Sequence, residues 1–224
     1  MVNVNMSRKV ESRFKNVKTA VALTFHHTLS NLGAVHLWRE SIPGDWLPKV
    51  LANLDLMLLD HCHLERKAAA SALSLMKYPD LATHARELNA IAQEELEHFN
   101  LLLDLLEQRG VAFGVPHPSP WISGLMRFIR KGRREQVIDH LIAASLIEGR
   151  SCEKFQVLAK ALRNTEPALA GFYANLVASE GSHYAEFWLM ACKIDKTEAH
   201  NRLDAFLDLD AKLIVQSHEL PLLH

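Results

Sequence analysis

Residues 90–102 read AIAQEELEHFNLL, and the fold turns on whether Glu95 and His98 within them are metal ligands or two residues of a solvated helix face. Residues three apart in a helix share one face, with Cβ atoms about 5–6 Å apart, so this pair could grip one ion. A lone E-x-x-H is common on exposed helices and decides nothing without structural context. The rest of the chain has to supply that context.

Apolar residues recur at three- and four-residue steps along almost the whole chain, and no strand-like alternation bounded by turns occurs. The reading is therefore all-α. One pattern runs from Asp45 to Met76 and stops at Tyr78-Pro79-Asp80. A second runs from about Leu81 to Gln108 and ends at Arg109-Gly110, with glycine where a left-handed helix end wants it. VAFGVPHPSPW, at 111–121, carries three prolines and reads as a loop. A third helix spans about Arg134 to Leu162, a fourth Pro167 to Lys193, and a shorter fifth Thr197 to about Ser217. Two short turns around one long crossover are the connectivity of a ferritin-like four-helix bundle, here with an extra C-terminal helix.

The two hairpins repeat one arrangement. Glu65 lies 14 residues before Pro79 and Glu95 lies 16 after it; at about 1.5 Å per residue the two carboxylates return to nearly the same height. Glu148 lies 17 residues before Thr165 and Glu180 lies 15 after it, with His183 completing a second E-x-x-H. Each hairpin thus offers a lone Glu and a Glu-x-x-His at matching depth, the ligand set of di-iron and di-manganese carboxylate bundles. Four buried carboxylates repel one another unless cations neutralise them, and two divalent ions balance four negative charges. Mixed carboxylate and imidazole ligands suit iron or manganese, whereas the absence of a thiolate in the set argues against a closed zinc site. The competing reading, four solvent-facing Glu residues, fits poorly with Glu65 among Leu64, Ala68, Ala69 and Ala72, and with Glu148 following LIAASLI.

Composition sets the outer bounds. The 224 residues, 49% hydrophobic and 23% charged, suffice for one well-buried domain, read as a bundle over 46–224 behind an N-terminal extension, 1–45. Within that extension MSRKVESRFKNVKTA is basic and reads as an amphipathic helix against RNA, a partner or the bundle itself, with a transit peptide as the less favoured alternative. Lys and Arg number 25 against 26 Asp and Glu, so a nucleic-acid or membrane partner would need a local patch. Three dispersed cysteines suggest neither a disulfide framework nor a zinc knuckle, no apolar run reaches the length of a membrane span, and no secretory signal is evident. A cytoplasmic protein without membrane contact is the expectation.

The segments LLDHCHLERKAA (58–69), AQEELEHF (92–99), IEGRSCEKF (147–155) and LVASEGSHY (176–184) resemble those around the metal ligands of the MiaE-like hydroxylases that act on 2-methylthio-isopentenyladenosine in tRNA. The resemblance covers about Trp46 to Ser217, and Arg150-Ser151-Cys152-Glu153 is its most diagnostic part. It implies a di-iron, O2-dependent monooxygenase that hydroxylates the isopentenyl group, with metal ligands Glu65, Glu95, His98, Glu148, Glu180 and His183 and with Glu65 and Glu148 also counted as catalytic. Oxidising an unactivated C–H bond is beyond acid–base side chains. Iron supplies the oxidation, O2 is the co-substrate, and an external ferredoxin- or flavin-type reductase supplies electrons. RFIRKGRRE places Arg127, Arg130, Lys131, Arg133 and Arg134 before the third helix, a cluster suited to RNA phosphates or, in the plainer reading, a solvated face. Trp121 and Phe128 nearby could stack on a base or belong to the core. His61, one turn before Glu65, could support that ligand or be a polar core residue. Two other classes stay open, a di-metal oxidase or peroxidase acting on iron, peroxide or a small organic molecule, and a degenerate bundle serving as an interaction module. Monomer and dimer are equally compatible with the sequence.

Overall fold

The computed structural model describes residues 38–216 and 220–224. Its described residues form seven α-helices and no strand: α1 (Trp46–Leu51), α2 (Leu54–Leu75), α3 (Ala85–Gln108), α4 (Pro120–Arg127), α5 (Arg133–Ala161), α6 (Pro167–Ile194) and α7 (Lys196–Ile214), with a 3-10 turn at Pro79–His84. The long helices α2, α3, α5 and α6 make the bundle, α2 packing most extensively on α3 and α5 on α6. The crossover between α3 and α5 is the long connection expected.

Local chemistry explains the boundaries. At the end of α3, Gly110 takes φ 69°. Its N–H bonds Glu107 O at 3.0 Å and that of Val111 bonds Leu106 O at 2.9 Å, the paired bonds of a Schellman end. Ser119 caps α4, accepting from Ile122 N at 3.1 Å with Pro120 in the first turn, and Asp195 caps α7 in the same way.

The structure corrects three boundaries. The pattern from Asp45 to Met76 is not one helix: α1 and α2 are separated at Ala52 and Asn53, where the Asn53 amide donates to Lys49 O at 3.0 Å and closes α1, as short polar side chains do when they compete with the helix ladder. The turn after Pro79 continues as a 3-10 coil to His84 before α3 starts. The proline-rich crossover contains a helix, α4, that its composition did not announce. Residues 1–37, most of the N-terminal extension, lie outside the described residues. Residues 38–45 are not helical; Trp38 lies under the Arg150 guanidinium at 3.9 Å, and Glu40 O accepts from it at 2.9 Å.

The core falls into two apolar halves. One gathers Ala72, Leu88, Leu141, Leu146 and Phe187 with α4 and α7. The other gathers Met57, Leu58, Leu102, Phe155 and Tyr173 at the opposite end. Between them, on all four bundle helices, sits a single polar layer.

Candidate metal centre

That layer consists of Glu65 from α2, Glu95 and His98 from α3, Glu148 from α5, and Glu180 and His183 from α6, all buried. One ligand atom from each of Glu65, Glu95, His98 and Glu180 lies within 4.8 Å of the others. His98 Nδ1 stands 3.5 Å from Glu65, 3.6 Å from Glu95 and 3.5 Å from Glu180. His183 Nδ1 stands 2.7 Å from Glu95 and 4.0 Å from Glu180, and the Glu148 carboxyl lies beside that of Glu180. The structure therefore brings together all six residues that the hairpin spacing selected.

Electrostatics and hydrogen bonding agree on what the layer lacks. Both oxygens of Glu95, Oε1 of Glu180 and the Nδ1 atoms of His98 and His183 are buried without a hydrogen-bond partner, although several approach one another closely. Lone pairs directed at a common point, rather than at each other, produce that combination, and a cation satisfies all of them. Burial pushes the Glu148 carboxyl up to about 8, helped by the charge on Glu95. Burial and the charge on Glu65 raise Glu95, and burial with the charges on Glu95 and Glu65 raises Glu180 well above the usual range. Glu65 goes the other way: burial opposes its charge, but the adjoining Glu95 carboxyl, the charge and hydrogen bond of His61 and the nearby His98 imidazole hold it well below the usual range. In His98, burial is outweighed by Glu65 and Glu95, which raise the imidazole to about 10. Without cations, the layer thus neutralises itself with protons.

A second ring of residues holds the candidate ligands. His61 Nε2 is 2.5 Å from Glu65 Oε1, and its Nδ1 is 3.3 Å from the Tyr173 hydroxyl. Glu94, which spacing alone did not single out, lies 3.2 Å from His183 Nε2 and accepts from Ser179 Oγ at 3.1 Å. Fixing the far nitrogen of an imidazole with a carboxylate is how metal-binding histidines are oriented. Tyr173 was also missed; its signal was its place seven residues before Glu180 on the same helical stripe.

Other expected sites fall elsewhere. Arg150 is fully buried and pairs with Asp210 and, at 2.7 Å, with Glu153. Ser151 Oγ meets His224 Nε2 at 2.9 Å, and Lys154 donates to Leu223 O, so this motif fastens α7 and residues 222–224 to α5 and supplies no ligand. Trp121 is core, donating to Asp210 Oδ1 at 2.9 Å, and Phe128 packs between Arg202 and Phe206. Of the five basic residues around the start of α5, Arg130 is partly buried and Arg134, though exposed, is tied to the backbone. Arg130 binds the wholly buried Asp139 through its N, Nε and Nη2 at 2.9, 3.1 and 2.8 Å and Glu198 at 2.6 Å, and Arg202 adds a bond to Asp139 at 3.0 Å. Arg134 donates to Ile194 O at 2.6 Å. Arg127, Lys131, Arg133 and Arg134 are all exposed.

A bundle of this connectivity with a buried carboxylate–imidazole layer defines a ferritin-like protein built to hold metal. The relationship extends to sequence: the family described as tRNA-(MS[2]IO[6]A)-hydroxylase (MiaE) matches residues 32–224, and the chain belongs to that family. The match begins before Trp46, so it takes in part of the extension that the sequence resemblance left out. Among relatives, the tRNA 2-(methylsulfanyl)-N(6)-isopentenyladenosine(37) hydroxylase of Pseudomonas putida is 35% identical over 150 residues, 66% of this chain and 72% of the relative. The protein of the same description from Salmonella typhimurium is 26% identical over 211 residues, 73% of this chain and 77% of the relative. A solved Synechococcus structure, described as protein 43 with aldehyde deformylating oxygenase activity, superposes with a TM-score of 0.77 at 29% identity, covering 85% of this chain and 96% of that one.

Proposed function

We propose that this chain hydroxylates the isopentenyl group of 2-methylthio-isopentenyladenosine in tRNA, with Glu65, Glu95, His98, Glu148, Glu180 and His183 holding two iron ions, O2 as co-substrate and a separate ferredoxin- or flavin-type reductase as electron donor. The observation that carries the reading is the polar layer, to which all four bundle helices of a tRNA hydroxylase family member contribute a buried carboxylate or imidazole and whose unpartnered atoms, on α3 and α6, face one another. When bound, an iron pair supplies the O2-dependent oxidation of a C–H bond that acid–base groups cannot perform. The protein does the rest. Two apolar half-cores exclude water on either side of the layer, which strengthens every charge interaction inside it. His61, held by Tyr173, fixes the Glu65 carboxylate, and Glu94 fixes the His183 ring.

No helix among the described residues is long and apolar enough to cross a membrane, and we read the protein as cytoplasmic, with the bundle from residue 46 as its catalytic unit. Of the expected RNA contacts, Arg127, Lys131 and Arg133 are exposed and outside the bonds that hold Arg130 and Arg134, so we assign these three first to RNA phosphates, with Arg134 exposed beside them. Replacing all three with Ala is expected to weaken tRNA binding and to flatten its salt dependence by about 0.7–0.9 log unit for each lost contact, with metal content unchanged. An unaltered slope would assign the patch to solubility alone. In cells, deleting the gene is expected to leave isopentenylated adenosine unhydroxylated in total tRNA, read by mass spectrometry of nucleosides, and identical nucleoside profiles with and without the gene would overturn the reading.

A further inference from the structure

A groove of about 300 Å³ runs along the outer side of α2 toward α4 and α5, lined by Lys67, Ser74, Lys77, Tyr78, Met126 and His140. None of the six residues of the polar layer lines it. Its size is at the lower end for small-ligand sites, roughly 300–1,000 Å³, enough for one nucleotide unit. Tyr78 is only 7% exposed, and its hydroxyl is buried without a hydrogen-bond partner. A buried donor left unpaired is costly, and a ligand acceptor would relieve the cost.

Charge and shape narrow the occupant. Lys67 on α2 and Lys77, in the turn just past the end of that helix, both line the groove, and no acidic residue does. Lys77 Nζ stands 5.0 Å over the Tyr78 ring. Burial and the nearby Lys77 charge keep the His140 imidazole below its ordinary value of 6.5. It is therefore neutral near pH 7 and offers one donor and one acceptor, with its ring 6.1 Å from that of Tyr78. Met126, 42% exposed, adds an apolar lip next to Arg127. Cations at the margins of an aromatic, apolar floor with neutral hydrogen-bonding groups suit a splayed single-stranded nucleotide, where backbone charge and base face are recognised together.

We propose that this groove is a second RNA subsite, which holds one unpaired nucleotide of the substrate tRNA outside the metal layer, its phosphate near the lysines and its base against Tyr78, His140 and Met126. The inference rests on the tRNA reading and deepens it. The nucleotide held here is not the one oxidised, since no residue of the metal layer lines the groove, and holding it sets how the loop is presented to the bundle.

The test uses the full-length, metal-loaded chain with two probes, a tRNA-derived stem–loop and the same stem closed as a blunt duplex. Lys67→Ala with Lys77→Ala is expected to cost stem–loop affinity at least tenfold and to lower its salt slope by about 1.4, about 0.7 for each single-strand phosphate contact. Tyr78→Phe keeps the ring and removes only an unpaired buried hydroxyl, so the fold stands. It is expected to weaken the stem–loop about three- to tenfold, the range of one hydrogen bond, and to leave the duplex unchanged. Wild-type stem–loop affinity in both variants, with normal melting and metal content, overturns the proposal; so does an equal loss for stem–loop and duplex, which would mark general charge attraction only. The two readings separate on the wild type. If it hydroxylates tRNA while the variants bind normally, the groove assignment alone fails; if it binds the stem–loop through the groove but never hydroxylates tRNA, the functional reading fails and the groove stands.

Discussion

Glu148→Gln is expected to abolish tRNA hydroxylation while leaving the metal-free bundle at least as stable as the wild type. The substitution keeps shape and removes a charge. In the metal-free layer the Glu148 carboxyl is raised from 4.5 to about 8 by burial and by the charge on Glu95. The folded chain therefore holds a proton that the unfolded chain releases above about 4.5, and stability falls as pH rises from about 4.5 to about 8, then levels. Gln carries no such penalty. Thermal unfolding of the two metal-free proteins, followed by circular dichroism, should give similar midpoints at pH 5 and a higher midpoint for the variant at pH 8. The metal-loaded comparison should run the opposite way. Groups that merely support a ligand cost about 10- to 100-fold in metal affinity or activity when removed, and a ligand should cost at least the upper figure. Wild-type hydroxylation by Glu148→Gln at saturating iron would show that Glu148 is not a ligand, and a metal-free variant that melts lower at pH 8 would contradict the account of its burial.

Much of the site was legible because the bundle is built from two hairpins whose turns announce themselves. Pro79 and Thr165 mark the bends, the helical rise converts residue counts into height, and Glu65, Glu95, Glu148 and Glu180 coincide in depth for that reason alone. The apolar residues around Glu65 and Glu148 showed which way those carboxylates face. What stayed hidden depends on contacts between segments far apart in sequence. Arg130 looked like a surface cation in a run of cations, yet Asp139 on α5 and Glu198 on α7 claim it. A partner 68 residues away leaves no local trace. Removing Arg130 would strip the wholly buried Asp139 of one of its two arginine partners, so the arginine serves the fold more than a ligand. Glu94 was masked by its neighbour, since an adjacent Glu-Glu reads as one buried ligand and one solvated residue, and only the position of His183 on α6 reveals that the exposed partner has work at the centre. Asn53 looked like an ordinary helix residue until its side chain was seen closing α1. The short helix α4 lies where prolines suggested only loop, because Pro120 occupies a helix's first turn, where proline is tolerated.

Oxygen transfer to tRNA is the central claim, and it has one direct measurement. The iron-loaded chain, an electron source, isopentenylated tRNA and isotopically heavy O2 are combined, and the tRNA is digested and its nucleosides weighed by mass spectrometry. One heavy oxygen atom per turnover should appear on the isopentenyl group, with the remainder of the nucleoside unlabelled and with no product when iron or the electron source is omitted. An isopentenyl group left untouched while the protein oxidises free iron or consumes peroxide would contradict the account and assign this bundle to the di-metal oxidases instead.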